Sequence, residues 1–184
     1  MYITMSTELP SKVETLRSAA RITIVASTYN EKYTTALLDN CLDELKEYED
    51  LISINIVRVP GAFEVPMMVK RAITTAPAIR QNDVVIALGV ILRGSTAHAD
   101  LIGDAITRQL LAISCDTLTP VIHEVLLLDN EQQAFARCIA SALNRGREAA
   151  RAALTMLRVL EDDNALNSQK QRAANINIHG SLYQ

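Results

Sequence analysis

The sequence alternates between strand-like and helix-like segments along most of its length. Apolar, β-branched runs typical of buried strands occupy residues 21–27, 52–59, 83–92 and 120–128. Each run is followed by apolar residues at helical spacing, such as Leu37, Cys41 and Leu45 after the first. Because parallel strands need crossover helices, these four β-α units predict an α/β domain: a four-stranded parallel sheet between two helical layers.

The length and composition allow a single domain. The chain has 184 residues, of which 49% are hydrophobic and 21% are charged, which is enough to bury a core. We expect the domain to span residues 21–161, after an N-terminal arm at 1–20. The polar, aperiodic segment 162–184 predicts a flexible tail without regular structure. The helical region 131–161 is interrupted by Asn144-Arg-Gly146, which predicts a kink or two consecutive helices.

Charge, hydropathy and cysteine usage exclude several classes of protein. A formal net charge of −3 with no long basic run argues against a nucleic-acid partner. No apolar run reaches membrane-spanning length, so we expect no membrane partner. Cys41, Cys115 and Cys138 are odd in number and far apart, which favours neither a disulfide framework nor a metal site. We expect three small buried thiols in a reducing compartment, the cytoplasm.

The turn after the third strand has the most distinctive composition. It reads GVILRGSTAHAD, from Gly89 to Asp100. If Thr96 caps the next helix, the free amides of its first turn form an anion site beside Ser95 and Thr96. His98 then lies in the first turn, where the helix dipole disfavours the protonated ring and leaves a neutral histidine for proton transfer. Taken alone, the segment fits a plain helix cap slightly better than a site.

Two other turns follow strands and should reach the same edge of the sheet. The segment VPGAFEVP, Val59–Pro66, carries Glu64 and places Pro66 in the first turn of a helix. Taken alone, it fits a Pro-Gly turn with Phe63 packed inward better than a site. In STYNEKYT, Tyr29 could stack on a flat ring, or simply pack, and Asn30 could cap the following helix.

Together these motifs resemble the 6,7-dimethyl-8-ribityllumazine synthase family of riboflavin biosynthesis. The resemblance rests on VPGAFEVP, on the Arg-Gly-Ser-Thr-Ala-His core of 89–100, and on DNEQQAFARCIASALNRG at 129–146. It covers roughly residues 21–160. Three motifs in the family's order and with compatible spacing are specific, whereas any one of them alone would be weak.

The resemblance implies a flavodoxin-like fold and a condensation that uses no metal and no cofactor. The substrates are a ribitylamino-pyrimidinedione and 3,4-dihydroxy-2-butanone 4-phosphate, and the products are the lumazine, phosphate and water. The residues implied to bind the pyrimidine and ribityl groups are Tyr29, Ala62, Phe63, Glu64, Val90, Ile91, Leu92 and His123. The residues implied to bind the phosphate are Ser95, Thr96 and Arg137, and the residue implied to transfer protons is His98.

The resemblance also implies a homo-oligomer. Family members place the site between adjacent subunits of a pentamer, so Arg137 and His123 are expected to reach the neighbouring subunit's site. Some members assemble twelve pentamers into a shell, and the spacing before Asn144-Arg-Gly146 leaves such a larger assembly open. Association with a separate riboflavin synthase is left open as well.

Several positions depart from the family pattern. His123-Glu124 stands where members usually have Phe-Gly, Ala99 replaces an aromatic residue, Arg145 a lysine, and Ile139 a glycine. These changes keep two other functions open. One is a catalytically weak or inactive paralogue that binds flavin or lumazine, or serves as a shell-forming scaffold. The other is a generic flavodoxin-like binding domain with a chance likeness.

Overall fold

The computed structural model describes residues 9–75 and 83–180, with side chains described up to residue 170. The strands are β1 (Ala20–Ser27), β2 (Ile52–Val59), β3 (Val84–Leu92) and β4 (Val121–Leu128). The helices are α1 (Glu31–Leu45), α2 (Val65–Thr74), α3 (His98–Thr117), α4 (Glu131–Ala134) and α5 (Arg145–Gly180). Each strand begins and ends within one residue of its predicted position.

The sheet is parallel throughout and its strand order is β2-β1-β3-β4. In register, Ile24 of β1 lies beside Ile56 of β2 and Ile86 of β3. The two central strands are buried almost completely, which explains their continuous apolar sequences, because helices cover both faces of a parallel sheet. The predicted four-stranded parallel sheet is confirmed.

Alternate residues of the central strands contribute to two separate cores. Ile24 and Ile86 point into the core beneath α1 and α5, whereas Val25 and Val85 point into the core beneath α2 and α3. This alternation follows from the two-residue period of a strand. The result is the predicted three-layer sandwich, with α1 and α5 on one face and α2 and α3 on the other.

The helical region after β4 is interrupted, as its sequence predicts. Asn130 caps α4 by accepting a hydrogen bond from the Gln133 amide at 2.9 Å. A π-helical turn at 135–139 follows, and Asn144 spans the break by donating to the Cys138 carbonyl at 2.8 Å. Gly146 then permits a close crossing of α5 over α1, because a Cβ atom there would lie 2.2 Å from the Leu37 carbonyl oxygen.

Two expectations are wrong. Residues 162–180 continue α5 instead of forming an irregular tail. The packed first half of α5 nucleates the helix, and residues 162–179 extend it because they contain no proline or glycine. The domain boundary at 161 stays a prediction, and 181–184 lie outside the described residues. Cys41 and Cys138 are buried as expected, but Cys115 is exposed because it lies on the outer side of α3.

The described part of the N-terminal arm is attached to α5. The Arg17 and Ser18 amides both donate to one carboxylate oxygen of Glu161 at 2.9 Å, and Arg17 pairs with Asp162. Burial acts to raise the pKa of Glu161, but its hydrogen bonds from the Ser18 hydroxyl and from the Arg17 and Ser18 amides lower it overall. Over the same described residues, no helix is both long and apolar enough to span a membrane, and no group of three metal-binding side chains lies together.

Candidate active site

A pocket opens at the carboxyl ends of β1 and β3, where the strand order reverses direction. Ligands of open α/β sheets bind at this kind of position. Its volume is about 520 Å³, and its walls come from the turns after β1, β2 and β3 and from the start of α3. The lining residues are Tyr29, Asn30, Gly61, Ala62, Phe63, Val90, Ile91, Leu92, Gly94, Thr96, His98, Ala99 and Ile102. We call it the switch-point pocket.

Backbone hydrogen bonds hold the first two turns of the switch-point pocket together. The Thr28 amide donates to the Val59 carbonyl at 2.8 Å, and the Tyr29 amide donates to the Pro60 carbonyl at 2.9 Å. The Glu64 carboxylate accepts from the Gly61 amide at 2.9 Å and so closes the second turn. This second turn is therefore rigid, and one Glu64 oxygen is already engaged within it.

Two aromatic side chains stand at the mouth of the pocket. Tyr29 is 74% exposed and Phe63 is 65% exposed, which is unusual for rings on a short, rigid turn. Phe63 therefore does not pack inward, which was the alternative explanation of VPGAFEVP. Large exposed apolar groups around a cavity are typical of ligand-binding surfaces.

Asn30 supports the pocket in a way the sequence analysis missed. Its backbone is left-handed, with φ of 57°, a conformation that asparagine tolerates better than most residues. It begins α1 without capping it through the side chain; instead, its amide donates to the Val90 carbonyl at the end of β3, at 2.8 Å. Asn30 is the N-cap residue of α1, as predicted, but its side chain makes no capping hydrogen bond because it bonds to the neighbouring strand instead.

α3 begins one residue later than predicted, but its first turn still has free amides beside His98. Ala97 is the N-cap residue, so Thr96 precedes the cap, and no side chain caps the helix. The expected cap by Thr96 is therefore wrong. The first-turn amides stay available to an anion, and His98, the first helical residue, is exposed beside them. Ser95 is exposed but does not line the pocket.

Arg93 anchors the turn that leads to α3, which the sequence analysis also missed. Its guanidinium pairs with Asp100 in the first turn of α3 at 2.8 Å and with Asp129 after β4 at 3.1 Å. One planar group thus joins two neighbouring strand ends. Asp129 lies far from Arg93 along the chain and Asp100 lies seven residues away, so no local pattern indicates either pairing.

The structure therefore gathers most, but not all, of the predicted site residues. Those that line the switch-point pocket are Tyr29, Ala62, Phe63, Val90, Ile91, Leu92, Thr96 and His98. Those that do not line it within one chain are Glu64, Ser95, His123 and Arg137. A larger groove of about 620 Å³ lies between α2 and α3; it shares Phe63 with the switch-point pocket but is not lined by His98.

His123 lies on the edge strand β4, on the side that faces α3. Its Nδ1 accepts from the Val125 amide at 3.1 Å, which places the proton on Nε2, 2.9 Å from the Thr107 hydroxyl. Burial lowers the pKa of His123 below its ordinary value, so the neutral ring is favoured. Its position at an open sheet edge leaves it away from the pocket of its own chain.

Glu124 points to the opposite face of β4, among charged residues of the interrupted helical region. Burial raises the pKa of Glu124 to about 8, Arg145 and Arg137 oppose this effect, and Glu148 adds to it. Arg145 forms an ion pair with Glu148, and both side chains are largely buried. We call these four residues, Glu124, Arg137, Arg145 and Glu148, the corner cluster.

The parallel order β2-β1-β3-β4 and a pocket at its switch point define a flavodoxin-like α/β protein with a binding site built from strand-end turns. Comparison with known proteins gives the particular family. The family model of 6,7-dimethyl-8-ribityllumazine synthase matches residues 19–161. The chain belongs to this family, whose members are transferases of riboflavin biosynthesis.

Individual relatives agree with the family model. A 6,7-dimethyl-8-ribityllumazine synthase from Nitrobacter hamburgensis is 36% identical over 151 residues, which cover 82% of this chain and 91% of the relative. One from Chlorobium phaeobacteroides is 39% identical over 140 residues, covering 75% and 87%. One from Salinibacter ruber is 36% identical over 137 residues, covering 74% and 85%.

Proposed function

We propose that this protein condenses 5-amino-6-(ribitylamino)pyrimidinedione with 3,4-dihydroxy-2-butanone 4-phosphate to form 6,7-dimethyl-8-ribityllumazine. The observation that carries this proposal is the switch-point pocket, which places His98, the uncapped amides of α3 and the exposed Tyr29 ring around one cavity. Such a cavity suits a substrate pair in which one member is a flat heterocycle and the other is an anion.

The pocket residues have distinct roles in this proposal. Tyr29 stacks on the pyrimidine, while the ends of β3, Val90 to Leu92, contact the edge of the ring. Ala62 and Phe63 line the ribityl chain, and the free oxygen of Glu64 accepts from a ribityl hydroxyl. The α3 amides, with Ser95 and Thr96, bind the phosphate.

His98 is the proposed catalytic residue. The pyrimidine's amine attacks the ketone, water leaves to form an imine, phosphate is eliminated, and ring closure releases a second water. Each step moves a proton, and a histidine beside the phosphate site can accept and return it. Orientation of two substrates is worth about 7–11 kcal/mol, whereas one acid-base group contributes about 10²–10⁴ in rate. Most of the acceleration therefore comes from positioning.

The complete site is proposed to lie between two subunits of a pentamer. The supporting observation is that Arg137 and His123 lie outside the pocket of their own chain, on and after the edge strand β4. In a ring built from one repeated contact, that edge can face the neighbour's pocket. Arg137 then binds the phosphate through its planar guanidinium, and His123 covers the pyrimidine.

The reaction is tested by mixing the purified protein with both substrates and following lumazine absorbance above the spontaneous rate. We expect turnover in the native protein and a fall in kcat/KM of about 100-fold in Arg137→Ala, because a hydrogen bond to a charged group is lost. Arg17→Ala is the matched control, since Arg17 lies before β1 at the opposite end of the sheet. A native rate equal to the spontaneous one would support the binding or scaffold alternative.

The shared site has a test of its own. His98→Asn and Arg137→Ala chains, each impaired alone, are co-expressed and purified together. If the two residues come from adjacent subunits, random mixing gives about a quarter of the sites both native residues, and activity returns to about that fraction. Activity that stays at the level of the single variants would place both residues in one chain's site.

The cellular location is also a proposal. All three cysteines are unpaired thiols, which supports a reducing compartment such as the cytoplasm.

A further inference from the structure

The corner cluster contains two carboxylates and two guanidinium groups from three separate elements. Glu124 comes from β4, Arg137 from the π-helical turn, and Arg145 and Glu148 from the first turn of α5. The close crossing of α5 over α1 at Gly146 holds this corner in place. The backbone positions of the four residues are therefore set by the packing of the main chain.

The four groups are not paired evenly. Arg145 and Glu148 form an ion pair with each other. Within the described residues, neither Glu124 nor Arg137 forms a direct ion pair or a side-chain hydrogen bond, although each lies within electrostatic range of the other. Arg137 is half-buried. Because Arg137 has no carboxylate partner at this depth, its guanidinium is available to bind an anion from outside the chain.

The surroundings of Glu124 favour its protonated form. The charged groups that act on it are Arg145 and Glu148 from α5 and Arg137 from the π-helical turn. Burial raises the pKa of the Cys41 and Cys138 thiols to about 12, and the charge of Glu124 adds to this effect, so both thiols lie near it. These apolar surroundings of Glu124 disfavour a second negative charge beside Glu148.

We propose that Glu124 is a positioning residue that sets how strongly Arg137 binds the substrate phosphate. This inference rests on the proposed function, in which Arg137 binds that phosphate. While Glu124 is protonated, the Arg137 guanidinium has no competing carboxylate and turns toward the phosphate. Once Glu124 ionises, it attracts Arg137 back toward the corner cluster and competes with the substrate.

The test compares the pH dependence of KM for each substrate in the native protein and in Glu124→Gln, between pH 6.5 and pH 9.5. The glutamine has the same shape and cannot ionise. In the native protein, KM for the butanone phosphate should rise roughly threefold to tenfold as pH passes through about 8, because the partly screened charge of Glu124 then competes for Arg137. In Glu124→Gln that rise should disappear.

The second substrate and a matched variant separate this effect from a structural one. KM for the pyrimidine should follow the same pH profile in the native protein and in Glu124→Gln. Glu131→Gln, which removes an exposed carboxylate from the start of α4, should retain the native rise. If Glu124→Gln keeps the rise, or if both KM values change together, Glu124 does not act through Arg137.

Binding of inorganic phosphate, measured by calorimetry at pH 7 and pH 9.5, keeps the inference testable if no turnover is found. The ratio of the native dissociation constant to that of Glu124→Gln should be larger at pH 9.5 than at pH 7, because the ionisation of phosphate itself affects both proteins alike. Absent turnover with this binding pattern would reject the proposed reaction and retain the inference. Equal weakening in both proteins would reject the inference alone.

Discussion

The switch-point pocket includes the end of β3, the corner cluster includes Glu124 of the neighbouring strand β4, and the two are built differently. The pocket is assembled largely from main-chain groups: hydrogen bonds between turns, the uncapped amides of α3, and glycines at 61 and 94. The corner cluster depends on charged side chains that are partly buried in apolar surroundings. The pocket is therefore a preformed shape, whereas the corner cluster is a group of opposing charges.

The difference shows how one chain can hold most of a site yet leave it incomplete. Main-chain groups recognise a shape and an anion without a change in protonation, so binding through the groups of the pocket should respond weakly to pH. The protonation of side chains with little solvent exposure responds strongly to pH and to neighbouring charges. Variants of the two regions should therefore fall into different classes, with stability and pH effects from the corner cluster and rate effects from the pocket.

Gly146→Ala should have the largest effect on stability. A Cβ atom there would lie 2.2 Å from the Leu37 carbonyl oxygen, so α1 and α5 must separate. We expect a loss of about 3 to 4 kcal/mol in the free energy of unfolding, measured by urea denaturation. Gly94→Ala in the pocket turn is the control, because nothing lies within 4 Å of its Cβ. Equal losses in both would remove the distinction between the two regions.

The native protein should lose stability as pH rises from about 5 to 9. Glu124 ionises near pH 4.5 in the unfolded chain and near 8 in the folded one, so the folded state binds more protons between those values. We expect a fall of about 3 kcal/mol in the free energy of unfolding, allowing for the partial solvent contact of the side chain. Glu124→Gln should lack this component, and an unchanged slope in that variant would contradict the assignment.

His98→Asn should test the pocket without disturbing the corner cluster. We expect kcat to fall about 100-fold, because proton transfer is lost while the anion site and the stacking ring stay in place. Both KM values should change little, and the free energy of unfolding should stay within about 0.5 kcal/mol of the native value, since His98 is exposed. Complete loss of turnover, down to the spontaneous rate, would mean that positioning supplies less of the acceleration than proposed.

Thr107→Val should have the smallest effect. The variant removes the hydroxyl that lies 2.9 Å from His123 Nε2 and should cost about 1 kcal/mol of stability. Nitrogen NMR shifts of the His123 ring give the proton position in both proteins. The native ring should be neutral with its proton on Nε2, and a proton on Nδ1 would contradict the hydrogen bond from the Val125 amide.

The elements that could be predicted are those in which the chain's local pattern and its tertiary role agree. Runs buried on both faces predict β1 and β3, and Asn144-Arg-Gly146 predicts the break before α5. The meeting of the turns that carry Tyr29, Glu64 and His98 was predicted because turns after parallel strands share one edge of the sheet, whereas the other pocket residues were implied by the family resemblance. Thr96 was placed one residue from the true cap because capping patterns do not resolve a single position.

Other features depend on contacts between residues far apart in the chain. Arg93 joins α3 to the end of β4, Asn30 bonds across to β3, and the charge of Arg145 on α5 acts on Glu124 of β4. The helical continuation past residue 161 belongs to this group too, because its own composition only permits a helix and the packed half of α5 supplies the start of it.

The sequence by itself determined the order of the strands and helices, the two-faced burial of the central strands, and the turns that carry the pocket. These follow from hydrophobic period and turn chemistry, which act over a few residues. Only the tertiary structure decided which charges meet, which side chains share the pocket and which lie at the edge of the sheet. Those outcomes depend on electrostatics and packing between distant segments, because burial and the approach of other charges exist only once the chain has folded.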